Sequence, residues 1–247
     1  MIATEAAIRH AAVVVIDVLR ATSTIVSALM NGAREVIPVV TIEEAVAIAH
    51  RLGTDRTLLG GERGALKING FRFGNSPLEY TPEEVHGKTI VLSTSNGAPA
   101  LLMARNSEFA LCGALVNASA VAELLIEHAP EDIVLLCSGS NGECSLEDSL
   151  GAGAIIAAMK QSAGDDSIIM TDGARVAEIL FHAHRKDLFA ALRSTDHGRI
   201  LDGMGLEDDL RFCSQLDIPG APVPALVGSS IKPYQRQSEL KTVARFL

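Results

Sequence analysis

The chain has no tryptophan, and aromatic residues make up only 4% of its 247 positions. All-β shells lean on aromatic and β-branched packing. This shortage, beside 48% hydrophobic content rich in Ala, Val, Ile and Leu, indicates helices packed closely on a largely parallel sheet. Long apolar runs are missing as well, since none reaches the ~18 residues of a membrane span. The apolar stretch near the N-terminus is short, is broken by Asp17 and has no basic lead. Neither a signal peptide nor a membrane partner is therefore expected. The four cysteines, Cys112, Cys137, Cys144 and Cys213, form no CxxC pair and no disulfide framework, so a reduced, cytoplasmic protein is expected. Positive charge is in deficit, with 21 Lys and Arg against 30 Asp and Glu, a net charge of −9. That balance argues against nucleic acid as a partner. It does not exclude a small anion, which a local basic pocket, helix N-termini or a metal ion can hold.

Familiar phosphate-cleaving loops are absent too. A cysteine phosphatase loop would place Arg six positions after Cys137, where Glu143 stands, and a D-x-D loop would need an acid at Leu19. No glycine-rich turn continues into Gly-Lys-Ser/Thr, and no G-x-S-x-G elbow surrounds Ser93, Ser95 or Ser138. Any phosphate chemistry here uses a site of its own kind.

What is present is organised around Val13-Val14-Val15-Ile16-Asp17-Val18-Leu19-Arg20-Ala21-Thr22-Ser23-Thr24. The β-branched run reads as a strand buried on both faces, and Thr22 and Ser23 read as caps of a helix starting near Thr24. Side chains at such a strand end line the crevice where α/β proteins bind ligands, so Asp17, Arg20, Thr22 and Ser23 form one wall of a site. Further strands are expected at 35–40, Thr57–Leu59, Thr89–Leu92, Leu111–Val116 and Asp132–Cys137. Helices are expected from Thr41 to Leu52, Ala98 to Arg105, Asn117 to His128 and Ser145 to Met159. Residues 66–80 read as an irregular functional loop. The last third reads as helices over Ala174–Ala190, Ser194–Asp202 and Leu206–Ser214, then a proline-marked tail. Three strand–loop–helix mouths, at Asp17, Thr94 and Ser138, fall on one sheet edge if their strands are parallel. The whole chain, residues 1–247, is expected to be a single α/β domain.

Asp17 suits a metal ligand, nucleophile or base, or else caps the following turn. Arg20 suits a phosphate or an ion pair with Asp17. Glu62 and Arg63 sit between glycines, and Lys67 follows them. Ser145-Leu146-Glu147-Asp148 reads as a capping box whose acids complement the helix dipole. His182 and His184 lie two apart on a helix, do not share a face, and are not read as a zinc pair.

The string Ile16-Asp17-Val18-Leu19-Arg20-Ala21-Thr22-Ser23-Thr24-Ile25 resembles the signature of the 2-phosphosulfolactate phosphatase (ComB-like) family. Gly60-Gly61-Glu62-Arg63-Gly64, Gly74-Asn75-Ser76-Pro77, Ser93-Thr94-Ser95-Asn96-Gly97, Ser145-Leu146-Glu147-Asp148 and His197-Gly198-Arg199 with Asp208-Asp209 resemble it too, in order along the chain. Position 65 is Ala where the family tends to have Gly, and position 72 is Arg where Asp is expected. The resemblance implies a three-layer αβα sandwich with a largely parallel or mixed sheet. It also implies an Mg²⁺-dependent hydrolase that converts 2-phospho-3-sulfolactate to 3-sulfolactate and phosphate, a step of coenzyme M biosynthesis in methanogens. Taken with the residue reading, it puts Mg²⁺ on Asp17, Glu62 and Asp148, with Asp17, Arg20 and Glu62 catalytic. Phosphate then falls to Arg20, Arg63, Ser23, Thr94, Asn96 and Gly97, and the substrate's other anionic groups to Lys67 and Asn75. The alternatives are a phosphatase of another small phosphorylated hydroxy acid and a non-catalytic anion binder. A homodimer is compatible with either.

Overall fold

The computed structural model describes residues 8–164 and 168–235. Its strands are β1 (Ala12–Ile16), β2 (Glu35–Val39), β3 (Thr57–Arg63), β4 (Leu66–Lys67), β5 (Thr89–Ser93), β6 (Phe109–Gly113), β7 (Ile133–Cys137), β8 (Pro224–Val227) and β9 (Ser230–Pro233). They form one nine-stranded mixed sheet in the order β4-β3-β5-β2-β9-β8-β6-β1-β7, with helices on both faces, a three-layer α/β architecture. The longer helices among the described residues are α1 (Ala21–Met30), α2 (Ile42–Leu52), α5 (Ala118–His128), α6 (Leu146–Ala163) and α7 (Asp172–His184). Between and after them lie α3 (Pro82–Val85), α4 (Gly97–Met103), α8 (Leu188–Ser194), α9 (Asp196–Gly203) and α10 (Glu207–Cys213). No helix of the described residues is long and apolar enough to cross a membrane.

β1 justifies its all-apolar composition. Val13 and Val15 pack with Ile25, Leu29 and Leu101 on one face, while Val14 and Ile16 pack with Val121, Leu125 and Ile155 on the other. Both faces are covered, so alternation with polar residues is not available to it. α2 starts where the Thr41 hydroxyl accepts the Glu44 N–H (3.1 Å), and α6 where the Ser145 hydroxyl accepts the Asp148 N–H (3.1 Å), both as expected from the sequence.

The proline-marked tail is not a tail. Pro224–Val227 and Ser230–Pro233 form a hairpin in the middle of the sheet, between β2 and β6. Pro224 and Pro233 face each other at its open end, where a missing N–H removes little from the ladder. This hairpin changes the geometry of the mouths. β3, β5 and β2 are mutually parallel, as are β6, β1 and β7, but every ladder from β2 through β9 and β8 to β6 is antiparallel. The two parallel trios therefore run in opposite senses along the sheet, and their mouths do not share one edge. The turns after these strands meet nevertheless: α1 packs against β2, β8 and β6, α4 touches both β1 and β2, and the turns after β1, β3, β5 and β7 are tied by Gly97 against Asp17, the Ser95 N–H on Glu62 and the Asn141 N–H on Asn96.

Several boundaries differ from expectation for local reasons. α1 begins at Ala21, and Thr22 and Ser23 do not cap it, because their hydroxyls turn back to the carbonyls of Asp17 (2.8 Å) and Val18 (2.8 Å). β3 runs on through the glycines to Arg63 and turns into β4, within the stretch expected to be irregular. The expected strand at Leu111–Val116 ends at Gly113 and gives way to a 3₁₀ turn (Leu115–Asn117). The expected helix over Ala174–Ala190 is two helices, because the Asp187 carboxylate accepts the Ala190 N–H (2.9 Å) and starts α8. β7 is an edge strand and only half-buried throughout, not a buried one.

Candidate active site

Asp17 ends β1 as a buried carboxylate. Its Oδ1 accepts the Ala21 N–H (3.1 Å), and its own N–H donates to Thr22 Oγ1 (3.0 Å), so the turn into α1 fixes the carboxylate's direction. Oδ2 faces Gly97 at the start of α4, where a Cβ would lie 2.6 Å from that oxygen and 2.5 Å from the Ala21 methyl. Glycine is required there because β1 and the β5–α4 turn come closer than any side chain allows. Gly97→Ala is expected to leave the sheet intact while displacing the Asp17 carboxylate. An ångström-scale displacement costs on the order of 100-fold in turnover, read as kcat at unchanged circular dichroism.

Arg20 does not pair with Asp17. Its Nη1 donates to Asp209 Oδ2 on α10 (2.6 Å) and its Nη2 to the Ala65 carbonyl (3.2 Å). Both members of the ion pair are buried, at 3% and 4% exposure. Ser76 Oγ donates to the other Asp209 oxygen (2.6 Å). Ala65 reaches Arg20 by adopting a left-handed conformation (φ 67°), at the position where the family resemblance expects glycine. Arg20 Nε and Asn75 Oδ1 are buried with no partner among the described residues, two orphaned polar atoms beside the crevice.

Glu62 and Asp148 hold mouths together. Glu62 Oε1 accepts the Ser95 N–H (2.7 Å), and Oε2 accepts the Ala65 N–H (3.0 Å) and the Ser95 hydroxyl (3.3 Å). Asp148 Oδ1 accepts the Val18 N–H (2.9 Å), and Oδ2 accepts the Gly139 N–H (3.0 Å) and the Ser138 hydroxyl (3.1 Å). Each therefore ties two chain-distant loops, and of the three expected metal ligands only Asp17 keeps an oxygen clear of backbone donors. Arg63 likewise turns its guanidinium to the carbonyls of Glu62, Ser93 and Val40 and to Ser93 Oγ. It clamps β3, β5 and the end of β2, with both Nη atoms engaged by these acceptors. Thr94 Oγ1 accepts the Ala98 N–H (2.9 Å), and Asn96 Oδ1 accepts the Asn141 N–H (3.4 Å), linking the β5 and β7 mouths. Lys67 is exposed on β4, in register with Glu62. Asn75 is buried, its carbonyl accepting the Thr24 hydroxyl (2.8 Å). Arg72, the other departure from the family pattern, pairs with Glu84 on the surface (2.7 Å).

The electrostatics single out Asp17. Burial pushes its pKa up to about 6, against the pull of hydrogen bonds from the Ala21 N–H and the Ser138 hydroxyl, and the Glu62 and Glu147 carboxylates push it up as well. Burial and the Asp17 charge raise Asp148 as well, and burial raises Glu147. Burial first, then the Arg20 charge, depress His197, while Glu62 opposes them. Glu147, His197 and Asp209 thus belong to this neighbourhood. From the sequence Glu147 reads as a helix-dipole acid with metal ligation as its alternative, while His197 and Asp209 carry the family resemblance without an assigned role. The available signal for His197 was Thr195, which caps α9 and sets His197 in its first turn. Among the described residues, no three His, Cys, Asp or Glu side chains converge into a closed metal cage.

Asp17, Glu62, Glu147 and Asp148 act on one another's charge around the end of β1, which raises the protonation of Asp17 and Asp148. The family model for 2-phosphosulpholactate phosphatase matches residues 2–227. A probable 2-phosphosulfolactate phosphatase of Thermotoga maritima is 45% identical over 214 residues, 87% of this chain and 88% of the relative. Its namesake from Clostridium novyi is 41% identical over 219 residues, 87% and 88% of the two chains, and that of Caldanaerobacter subterraneus is 42% identical over 205, 83% of each. The chain belongs to the 2-phosphosulpholactate phosphatase family, a family of phosphoric monoester hydrolases.

Proposed function

We propose that this chain hydrolyses 2-phospho-3-sulfolactate to 3-sulfolactate and phosphate, with Mg²⁺ at Asp17. The observation that carries the site assignment is the raised, buried Asp17 carboxylate at the end of β1, whose Oδ2 lies against Gly97 at the start of α4 and which Glu62 and Glu147 push further up. Mg²⁺ needs only one or two carboxylates and completes its shell with water and phosphate oxygens, so an open acidic crevice suits it without a closed cage. When bound, the ion supplies charge neutralisation at the phosphoryl oxygens. Asp17 Oδ2 is the holding ligand, and Glu62, Glu147 and Asp148 contribute field more than direct ligation.

The remaining work falls to the chain's own groups. Arg20 Nε, the orphaned donor, takes a phosphoryl oxygen, while Asp209 and the Ala65 carbonyl fix the guanidinium plane. The Ser23 N–H, flanked by first-turn amides already bound to Asp17 and Arg20, and the amides of Asn96 and Gly97 add donors where charge develops. Glu62 and Asp148 keep the β3, β5, β1 and β7 mouths in register, and this register sets the reacting geometry. Lys67 and Asn75, on the hairpin and loop beyond Glu62, face the substrate's carboxylate and sulfonate.

The test is phosphate release from 2-phospho-3-sulfolactate, phospholactate and phosphoglycolate, each with Mg²⁺ and with EDTA. Release that is abolished by EDTA and fastest on the sulfonated ester is expected. Equal turnover of the other esters discards the named substrate, metal-independent release discards the Mg²⁺ reading, and no release from any ester discards the hydrolase reading.

A further inference from the structure

The two edges of the sheet are built differently. At one end β4 is two residues long and carries Lys67, which are standard guards of an edge. At the other end β7 is five residues long, reads Ile133-Val134-Leu135-Leu136-Cys137, and has no charge, no proline and no bulge. The Asp132 carbonyl accepts the Ala12 N–H and the Ser138 N–H donates to the Ile16 carbonyl, so even-numbered positions of β7 bond to β1. Ile133, Leu135 and Cys137 therefore turn their N–H and C=O groups away from the sheet. No partner for those groups exists among the described residues. All five side chains are only half-buried, although each packs on one of the two core layers.

We propose that β7 is the subunit interface, pairing antiparallel with β7 of a second copy about a two-fold axis at Leu135. An isologous contact requires this sense, because a two-fold perpendicular to the strands reverses one against the other. Leu135 then faces Leu135 of the partner subunit, and Ile133 faces Cys137 of the partner subunit. These are the positions whose backbone groups are open, so each outward N–H meets an outward C=O. On the other face Val134 meets Leu136 of the partner subunit, completing burial of side chains that one chain leaves half covered. The charges agree with the pairing. The exposed Glu131 and Asp132 lie opposite the uncharged Ser138–Ser140 segment instead of each other. The two copies of Asp132 stand roughly 20 Å apart, from a rise of about 3.3 Å per residue. An unrelated partner strand would need the same unbroken apolar run, which a second copy supplies by construction.

The experiment uses the full chain. Sedimentation velocity over a wide dilution series is expected to show a dimer that dissociates on dilution. Hydrogen exchange at the concentrated end is expected to slow the Ile133, Leu135 and Cys137 amides at least about tenfold relative to the dilute end. The Val134 and Leu136 amides, bonded to β1, serve as the internal control and stay protected throughout. Val134→Lys places a charge at the edge and is expected to run as a monomer with Val134-flanking β1 protection and far-UV circular dichroism unchanged. A wild type that stays monomeric at every concentration overturns the proposal. So does a dimer in which the three outward amides remain fast, or one that Val134→Lys leaves intact.

Discussion

Asp17→Asn is expected to abolish turnover and, in EDTA, to make the folded chain more stable at pH 7. The first effect follows from losing the one carboxylate, among the three expected metal ligands Asp17, Glu62 and Asp148, that keeps an oxygen clear of backbone donors. The second follows from proton linkage. The folded-state pKa of Asp17 lies near 6, above its ordinary 3.8, so the native state holds a proton that the unfolded state releases more readily. A raised carboxylate opposes folding above the folded pKa, and the penalty fades as pH falls through 6 and is gone below about 4. A shift of this size corresponds to about 3 kcal/mol at pH 7. For a chain this long, each 1 kcal/mol moves Tm by about 2–4 °C, so Asp17→Asn is expected to gain about 6–12 °C. Asn keeps the Oδ1 acceptor for the Ala21 N–H, so α1 loses nothing. The measurement is Tm against pH for both proteins in EDTA. Wild type should gain stability from pH 7 down toward 5, and the variant should show a flatter profile starting higher. A variant less stable than wild type at pH 7, or one with undiminished turnover, removes Asp17 from the position argued for it.

How far the sequence leads depends on how local each cause is. The β1–α1 unit is legible because four consecutive β-branched residues have one reading, and α2 and α6 because Thr41 and Ser145 act within their own first turns. The β8–β9 hairpin is not legible. Its strands are four residues long with proline at the outer ends, and its place is set by β2 and β6, over a hundred residues upstream in each case. The mouths at Asp17, Thr94 and Ser138 do converge, yet the reason differs from the sequence argument. Convergence on one edge required the three strands to be parallel, whereas the inserted hairpin reverses the second trio and the mouths meet through contacts of Gly97 with Asp17 and of Asn96 with Asn141. The same locality limits the site. Asp17 and Glu62 announce themselves at strand ends, but the partner of Arg20 stands 189 residues away, and Arg63 is absorbed by carbonyls that its own neighbours cannot supply. Glu147 is a helix-dipole acid by spacing and a contributor to the Asp17 field by geometry, and spacing carries no information about the second role.

That distant pair yields the other large expected effect. Arg20 and Asp209 are fully desolvated, and their contact joins α1 to α10 while Ser76 completes the Asp209 shell. Removing one partner strands the other charge in the interior, which costs about 3–5 kcal/mol. Arg20→Met and Asp209→Leu are each expected to lose stability on that scale in urea titrations. The double variant is expected to lose less than the sum of the two, since neither charge is then left alone. Turnover separates the roles that stability mixes. Arg20→Met and the double variant lack the donor for the phosphoryl oxygen and are expected to be inactive despite the recovered fold. Arg20→Lys keeps the charge but presents no planar fork to serve Asp209, the Ala65 carbonyl and a ligand at once. It is expected to remain folded, with KM raised and kcat/KM reduced about 10- to 100-fold, on the scale of a lost charge-assisted hydrogen bond. Additive stability losses would show that the pair is not coupled. Full activity in Arg20→Lys would show that charge alone suffices at that position, and the orphaned Nε would then need another account.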